Sequence, residues 1–372
     1  MAYEDVVDRE FLLNAPMLAD VWRQPSVMLE IAERIDEIKD FFDAFLAVRK
    51  PGRLYVFGSG DGLFAARGAG ARAASFVGVS GLEMLANVAP TLKADDSALA
   101  VSMSGNVDRT VEAAEAVLKR GSRCAALVNG NGGRLGALDL PLFSIAIRDI
   151  APFLCGTSSY LATLEILHLI SAISRGHVVE TVEAIRNTAE KLNDLLPKLN
   201  SVCQEIAAEI ASTLTGVRIL SVGGEGLASA DYGAAKLVEL TRLRPFTDDI
   251  EEFAHRQFWS ADSHELVIYL PNSVLANGVA SQSAEALGEM GFSTLSIGPE
   301  RYSATATRWS IQFGDLNNGE DAYFLIAVTL QLLAYYLAIA GGFDPNTRRH
   351  LVDDELRFKV SRKLTRRHLL GN

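Results

Sequence analysis

Two stretches of this chain carry residue types whose spacing could do chemistry. In the first, the apolar run 98–101 ends in Ser102-Met103-Ser104-Gly105-Asn106, and a helical pattern opens near Asp108. A strand, a hydroxyl-rich turn and a helix in that order aim two hydroxyls and the N–H groups of Gly105 and Asn106 at one point. Such a point in front of a helix N-terminus favours an anion, most often a phosphate. Serines in turns also serve only to satisfy backbone groups, so the segment by itself leaves both readings open. In the second stretch, Lys236 and Glu239 stand three apart on a helical pattern and share a face, and Glu252 and His255 repeat the spacing. A carboxylate and an imidazole in one pocket can move protons. The residues alone also allow a plain surface ion pair for Lys236 and Glu239 and a hydrogen-bonded structural role for His255. His255 and His264 have no recognised metal-ligand spacing, and no metal is expected.

The elements that must position these residues follow from the pattern around them. Residues 53–57 read as a strand that ends in Gly58-Ser59-Gly60-Asp61-Gly62, with an alanine-rich helix from Leu63 to about Phe76. Strands are also expected at 124–128 and 142–147, and Phe153 to Tyr160 opens a long apolar helix. Strands alternating with helices at this spacing predict a mostly parallel sheet covered on both faces. From Ala172 to about Thr215 the chain is helical and charged, and then the architecture starts again. Residues 217–222, 266–270 and 293–297 read as strands, with Gly223-Gly224-Glu225-Gly226 as the turn after the first. This is an internal duplication by pattern. The second copy has Pro271-Asn272-Ser273 where the first has its serine turn, so one anion grip per chain is expected. Ahead of both copies, residues 17–50 carry helical periodicity interrupted once, at Gln24-Pro25.

Bulk properties narrow the function classes. With 372 residues the chain is long enough for two domains. A net charge of −11 argues against a nucleic-acid-binding body, and no basic recognition helix precedes residue 53. Cys124, Cys155 and Cys203 are scattered and odd in number, which supports neither a disulfide framework nor a zinc site. The acidic N-terminus lacks the layout of an export signal, and a cytoplasmic protein is expected. The run 322–340 is long enough to span a membrane but has no second span and no basic N-terminal flank. It is expected to be a buried helix, with no membrane partner.

The serine turn, with Thr110-Val111-Glu112 after it, resembles the S-x-S-G signature of the sugar isomerase (SIS) domain family, whose members grip the phosphate of a phosphosugar there. The Ser59-Gly60 turn, about 45 residues earlier, is similar to the first ligand loop of that family. Ala235-Lys236-Leu237-Val238-Glu239 resembles the A-x-K-x-x-E helix of two-domain SIS enzymes, and Glu252-Phe253-Ala254-His255 their E-x-x-H-G-P stretch. The resemblance covers about residues 53 to 260. Among such enzymes are the isomerase half of glucosamine-6-phosphate synthase, fructosamine-phosphate deglycases and aminosugar-phosphate deaminases.

This resemblance implies two tandem SIS domains, each a flavodoxin-like three-layer α/β sandwich on a five-stranded sheet. The expected layout is N-terminal helices at 1–50, a first SIS domain at 51–195, a second at 196–342 and a closing tail at 343–372. It implies Glu239 as general base and His255 as ring opener, the latter entering a neighbour's pocket, hence a homodimer or larger homo-oligomer. The implied substrate contacts are Ser59, Gly60, Ser102, Ser104, Gly105, Asn106, Thr157 and Lys236, with Arg256 and Lys359 as substitutes for missing groups. The implied partner is a small anionic sugar, with no cofactor. The reaction is proton transfer between C1 and C2 through an enediol or enolamine, shared by isomerisation, deamination and deglycation. The alternative is a non-catalytic sugar-phosphate-binding regulator.

The sequence also departs from the family pattern. Gly62, Val107 and Gly156 stand where hydroxyl residues are usual, and Arg256-Gln257 replaces Gly-Pro. Asp353 falls where a closing-loop lysine is expected, in a locally basic tail that includes Arg348, Arg349 and His350. No amide-transfer domain is expected ahead of the first copy.

Overall fold

Short apolar runs that end in glycine- and serine-rich turns become parallel strands, and the helical stretches between them become crossovers. A computed structural model describes residues 14–48, 51–148, 150–151, 154–316, 322–347 and 354–365. Among the described residues ten strands form two sheets, each five-stranded and parallel throughout. The first sheet contains β1 (Leu54–Gly58), β2 (Phe76–Ser80), β3 (Ser97–Val101), β4 (Arg123–Val128) and β5 (Leu142–Ser144), in the order β2-β1-β3-β4-β5. The second contains β6 (Gly216–Ser221), β7 (Arg244–Asp249), β8 (Glu265–Leu270), β9 (Ser293–Gly298) and β10 (Trp309–Gln312), in the order β10-β9-β8-β6-β7. Counted from its own first strand, the second sheet repeats the 2-1-3-4-5 order of the first. The duplicated α/β architecture expected from the sequence is therefore the one the chain adopts.

Several boundaries differ from the sequence expectation. β2, β7 and β10 lie in stretches not read as strands, and the helix after the first glycine turn is Asp61–Arg72, which stops before Phe76. β5 ends at Ser144, three residues short of the expected run. The lead-in forms three helices, Pro16–Trp22, Gln24–Glu33 and Ile35–Phe41, so it breaks twice. Gln24 opens the second of these, with Pro25 in a first turn that needs no donor from it.

The chain divides into two compact units. One holds the first sheet and is drawn from Ser26–Asp149, Ser158–Arg186 and Leu351–Asn372. The other holds the second sheet and is drawn from Met1–Pro25, Ile150–Thr157 and Asn187–His350. In the first, alternate residues of the sheet (Phe57, Ala98, Ala100, Cys124, Ala126 and Val128) pack on Val111, Ala114 and Val117 of the Asp108–Lys119 helix. β3 is buried along its whole length, as the middle strand of a sheet covered on both faces must be. In the second unit, Leu220, Val267 and Tyr269 pack on Ala276, Ala280, Ala284 and Leu287 of the Val274–Glu289 helix.

The Ala322–Ala340 helix lies in this second unit. Its side chains are buried almost to the last turn, and it packs on the Gly223–Leu240 helix. Its polar residues are satisfied inside: the Thr329 hydroxyl donates to Leu325 O at 2.8 Å, and Gln331 Nε2 donates to the Tyr232 hydroxyl at 2.9 Å. The apolar length is that of a core helix, as expected.

Candidate functional site

β1 and β3 are neighbours in the first sheet and end in register, Gly58 opposite Val101. In an open parallel sheet of this order the chain leaves these two strands toward opposite faces, and a crevice opens at their carboxyl ends. The Ser59-Gly60 turn and the Ser102–Asn106 turn both fall there, each leading into a twelve-residue helix, Asp61–Arg72 and Asp108–Lys119. Gly60 takes φ +56° to make the first turn. Ser59, Gly60, Ser104 and Asn106 are exposed, whereas Ser102 is only 6 % exposed.

Ser102 is the informative member. Its backbone is committed, since its N–H donates to Leu127 O at 3.0 Å and its carbonyl accepts from Gly105 N–H at 3.1 Å. Its buried Oγ has no hydrogen-bond partner among the described residues. Leaving a buried hydroxyl unsatisfied costs about 1–3 kcal/mol. An oxygen-rich ligand at the mouth of the sheet would remove that penalty.

The amides expected to help are already taken. Gly105 N–H is held by Ser102 O, and Asn106 N–H donates to Ser104 Oγ at 3.3 Å. The next loop also packs closely on this turn. Gly105 has φ +63°, and a Cβ there would lie 1.7 Å from Gly132 O. Leu135 N–H then donates to Gly105 O at 3.0 Å and Arg134 N–H to Asn106 Oδ1 at 3.1 Å. The turn offers an anion its hydroxyls rather than these two N–H groups. Gly62 has an equally local reason, because a Cβ there would lie 2.9 Å from Val101 O.

The matching corner of the second sheet is closed by its own bonds. Ser221 Oγ donates to Leu270 O at 3.0 Å, and Asn272 Nδ2 donates to Val222 O at 2.9 Å. Ser273 Oγ accepts from Ala276 N–H at 3.2 Å and caps the next helix.

In the second unit, Lys236 and Glu239 lie on the Gly223–Leu240 helix with Lys236 Nζ 3.0 Å from Glu239 Oε2. The Lys236 side chain is fully buried and that of Glu239 is 30 % exposed, which overturns the reading of a surface pair. The ammonium also sits 5.1 Å from the centre of the Tyr232 ring. Tyr232 in turn donates to Gly156 O at 2.9 Å. The carboxylate is thus at an opening, with its charge partner behind it.

His255 ends the short Ile250–His255 helix, which Asp249 opens by accepting from Glu251 N–H at 2.9 Å. The imidazole is 64 % exposed, with Nε2 3.4 Å from Glu251 Oε1. Arg256, expected to face a ligand anion, pairs with the buried Asp248 carboxylate instead and lies 3.8 Å from Glu252. Thr157 is buried and its hydroxyl donates to Asp20, so its visible role is to tie the chain there. Lys359 is exposed on the Glu355–Thr365 helix. Arg348, Arg349, His350 and Asp353 lie outside the described residues, as does Phe153.

Among the described residues no group of three or more His, Cys, Asp or Glu could hold a metal ion. The three cysteines are buried, and burial pushes the Cys124 thiol up to about 12.

One polar cluster was not anticipated from the sequence. On the Ser158–Arg175 helix, Glu165 is fully buried with both carboxyl oxygens lacking a hydrogen-bond partner among the described residues, and burial holds its pKa well above the ordinary value. His168, one turn on, meets Arg72; burial first, then the charges of Arg72 and Arg175, hold it well below the ordinary histidine value. An acid and a histidine inside an otherwise apolar helical run are the signal that could have found them.

No protein-family model matches the chain. It is 26 % identical over 357 residues to the isomerizing glutamine–fructose-6-phosphate aminotransferase of Aeropyrum pernix, covering 90 % of this chain and 56 % of that protein. The counterpart in Thermococcus kodakarensis is 27 % identical over 269 residues, covering 69 % of this chain and 44 % of that one. The chain therefore spans about half the length of the curated relatives it matches. Among solved structures, the C-terminal domain of glucosamine-fructose-6-phosphate aminotransferase from Francisella tularensis superposes with a TM-score of 0.73 at 16 % identity, over 92 % of this chain and 99 % of that one. Tagatose-6-phosphate ketose/aldose isomerase from Escherichia coli gives 0.72 at 18 % identity, over 89 % and 94 %. These structural likenesses concern the fold.

Proposed function

We propose that this two-domain sugar isomerase (SIS) protein, similar to the isomerase half of the glutamine–fructose-6-phosphate aminotransferases, is an enzyme of the sugar-phosphate isomerase type. Its substrate is a sugar or aminosugar with an anionic end, and its reaction moves a proton between C1 and C2. The observation that carries this reading is the buried, unpartnered hydroxyl of Ser102 at the switch point of the first sheet. Ser59, Ser102 and Ser104 hold the anion.

Glu239 takes the proton from one carbon and returns it to the next, with the Lys236 ammonium paired to it from behind. His255 carries the proton of the anomeric hydroxyl to the ring oxygen as the sugar opens, and its exposure suits a group that works on a neighbouring copy in a homo-oligomer. Isomerisation, deamination and deglycation all pass through this proton transfer. The protein works in the cytoplasm, without a cofactor. The aminotransferase names of its relatives describe longer proteins, 56 % and 44 % of which the matches cover, and that activity is not assigned to it.

The test is to incubate the protein in D2O with a panel of sugar and aminosugar phosphates and to follow deuterium at C1 and C2 by NMR. Label incorporated by the wild type and lost in Glu239→Gln, with thermal stabilisation by ligand retained, supports the enzyme. Stabilisation by sugar phosphates without label in any of them supports a binding regulator. That second reading draws on the absence of a hydroxyl at Gly62 and Val107 and on the engagement of Thr157 with Asp20.

A further inference from the structure

Arg218, on β6, is the largest fully buried side chain among the described residues, at 1 % exposure. Its guanidinium donates to both oxygens of Glu265 on β8, with Nη2 3.2 Å from Oε1. Its remaining bonds go to the segment after His255: Nη1 donates to Gln257 Oε1 at 3.1 Å and Nη2 to Ser260 O at 3.2 Å. Gln257 passes the link on, since its Nε2 donates to Thr247 O on β7 at 3.1 Å. The rings of Phe246 and Phe253 flank the guanidinium, 5.0 and 6.0 Å from it.

A six-residue helix does not hold its own shape in water. The one that carries His255 is fixed at its start by the Asp249 cap and by the buried Ile250 and Phe253. His255 itself is mostly solvent-facing, so its own packing does not set where it points. The other end of the segment is fixed by Gln257 and Ser260, and both fixings end on one arginine.

We propose that Arg218, acting through Gln257, is the positioning residue of the His255 segment. It holds the 250–260 stretch against β6 and β7 so that the imidazole is presented in one orientation. Gln257 stands where the E-x-x-H-G-P pattern has a proline, so a side-chain bridge replaces a stiff ring as the restraint on the backbone. The proposal rests on the reading of His255 as the ring-opening group.

The test uses the full chain with Gln257→Ala and Gln257→Glu, the second keeping an acceptor for Arg218 while losing the donor to Thr247. Hydrogen exchange is followed in peptides covering 250–260, with β6 and β8 as internal controls, and kcat and KM are measured on a sugar phosphate that the wild type converts. Gln257→Ala is expected to speed exchange at 250–260 about tenfold and leave the two strands unchanged. It should lower kcat about 10- to 100-fold with KM within about twofold, as a misaimed proton carrier does. Gln257→Glu should recover most of both effects. Exchange unchanged at 250–260, or raised equally in β6 and β8, overturns the proposal, and so does a loss confined to KM. A wild type that converts no sugar phosphate would sink the assignment of function, and the exchange measurement would still decide whether Arg218 and Gln257 hold the segment.

Discussion

Lys236 Nζ lies 3.0 Å from Glu239 Oε2 with the ammonium wholly inside the protein and the carboxylate at its edge. The two halves of this pair are not equivalent. Glu239→Gln takes a negative charge from beside a buried positive one, whereas Lys236→Met leaves a carboxylate that water can reach. Breaking a buried pair from the side that strands the buried charge is the costlier change. Glu239→Gln is therefore expected to lose about 1–3 kcal/mol of stability, discounted for the exposure of the carboxylate, and Lys236→Met less. Urea unfolding of both variants measures this, and equal losses would contradict it. If Glu239 carries the proton, its variant also loses about 10²- to 10⁴-fold in turnover at a temperature where it remains folded.

Ser102 follows β3 and Ser221 ends β6, each at the carboxyl edge of its own sheet, and among the described residues Ser221 has its hydroxyl bonded whereas Ser102 does not. Ser102→Ala is expected to leave thermal stability unchanged or slightly raised, because it removes an unsatisfied group. The same variant should weaken binding of a sugar phosphate about tenfold or more. Ser221→Ala should behave in the opposite way, losing about 1 kcal/mol of stability with ligand binding intact. Thermal unfolding with and without ligand reads all four quantities.

Val107 occupies the N-cap of the Asp108–Lys119 helix and offers no side-chain acceptor to it. Threonine supplies one, and an N-cap of this type is worth about 1 kcal/mol. Val107→Thr is expected to raise the urea midpoint without changing the slope. Because this cap lies beside the Ser102–Asn106 turn, the added hydroxyl should also tighten binding of an anionic sugar. A stabilised variant with unchanged affinity would place the anion away from this helix start.

The strands that the sequence hid have a common feature. β2, β7 and β10 are all edge strands, and β5, read three residues too long, is the fourth edge. A central strand such as β3 is buried on both faces and shows itself as an unbroken apolar run. An edge strand needs neither. β2 carries Gly78 at its centre, and β7 carries Pro245 and two aspartates, residues that edges tolerate and centres do not. The turns of the site were legible because Ser59-Gly60 and Ser102–Asn106 follow central strands. The engagements of Arg256 and Thr157 were not, because their partners Asp248 and Asp20 are chosen by packing rather than by spacing along the chain.

Glu165 and His168 set opposite pH dependences on one helix. Glu165 keeps its proton in the folded protein well above the value of 4.5 at which the unfolded chain gives it up. Above pH 4.5, folding stability therefore falls as pH rises, by about 1.4 kcal/mol per pH unit, until the folded group also ionises. His168, buried beside Arg72 and Arg175, refuses a proton that the unfolded chain accepts near 6.5. Below pH 6.5 stability falls as pH drops, at the same slope, down to the folded value. Between 4.5 and 6.5 the two slopes oppose each other, and the alkaline loss above 6.5 belongs to Glu165 for as long as it keeps its proton in the folded protein. Glu165→Gln is expected to remove that loss, so that the variant gains on the wild type in urea unfolding as pH rises from 6.5, for as long as the folded carboxyl keeps its proton. A stability difference between the two that does not change with pH over this range would show that Glu165 is already charged in the folded protein.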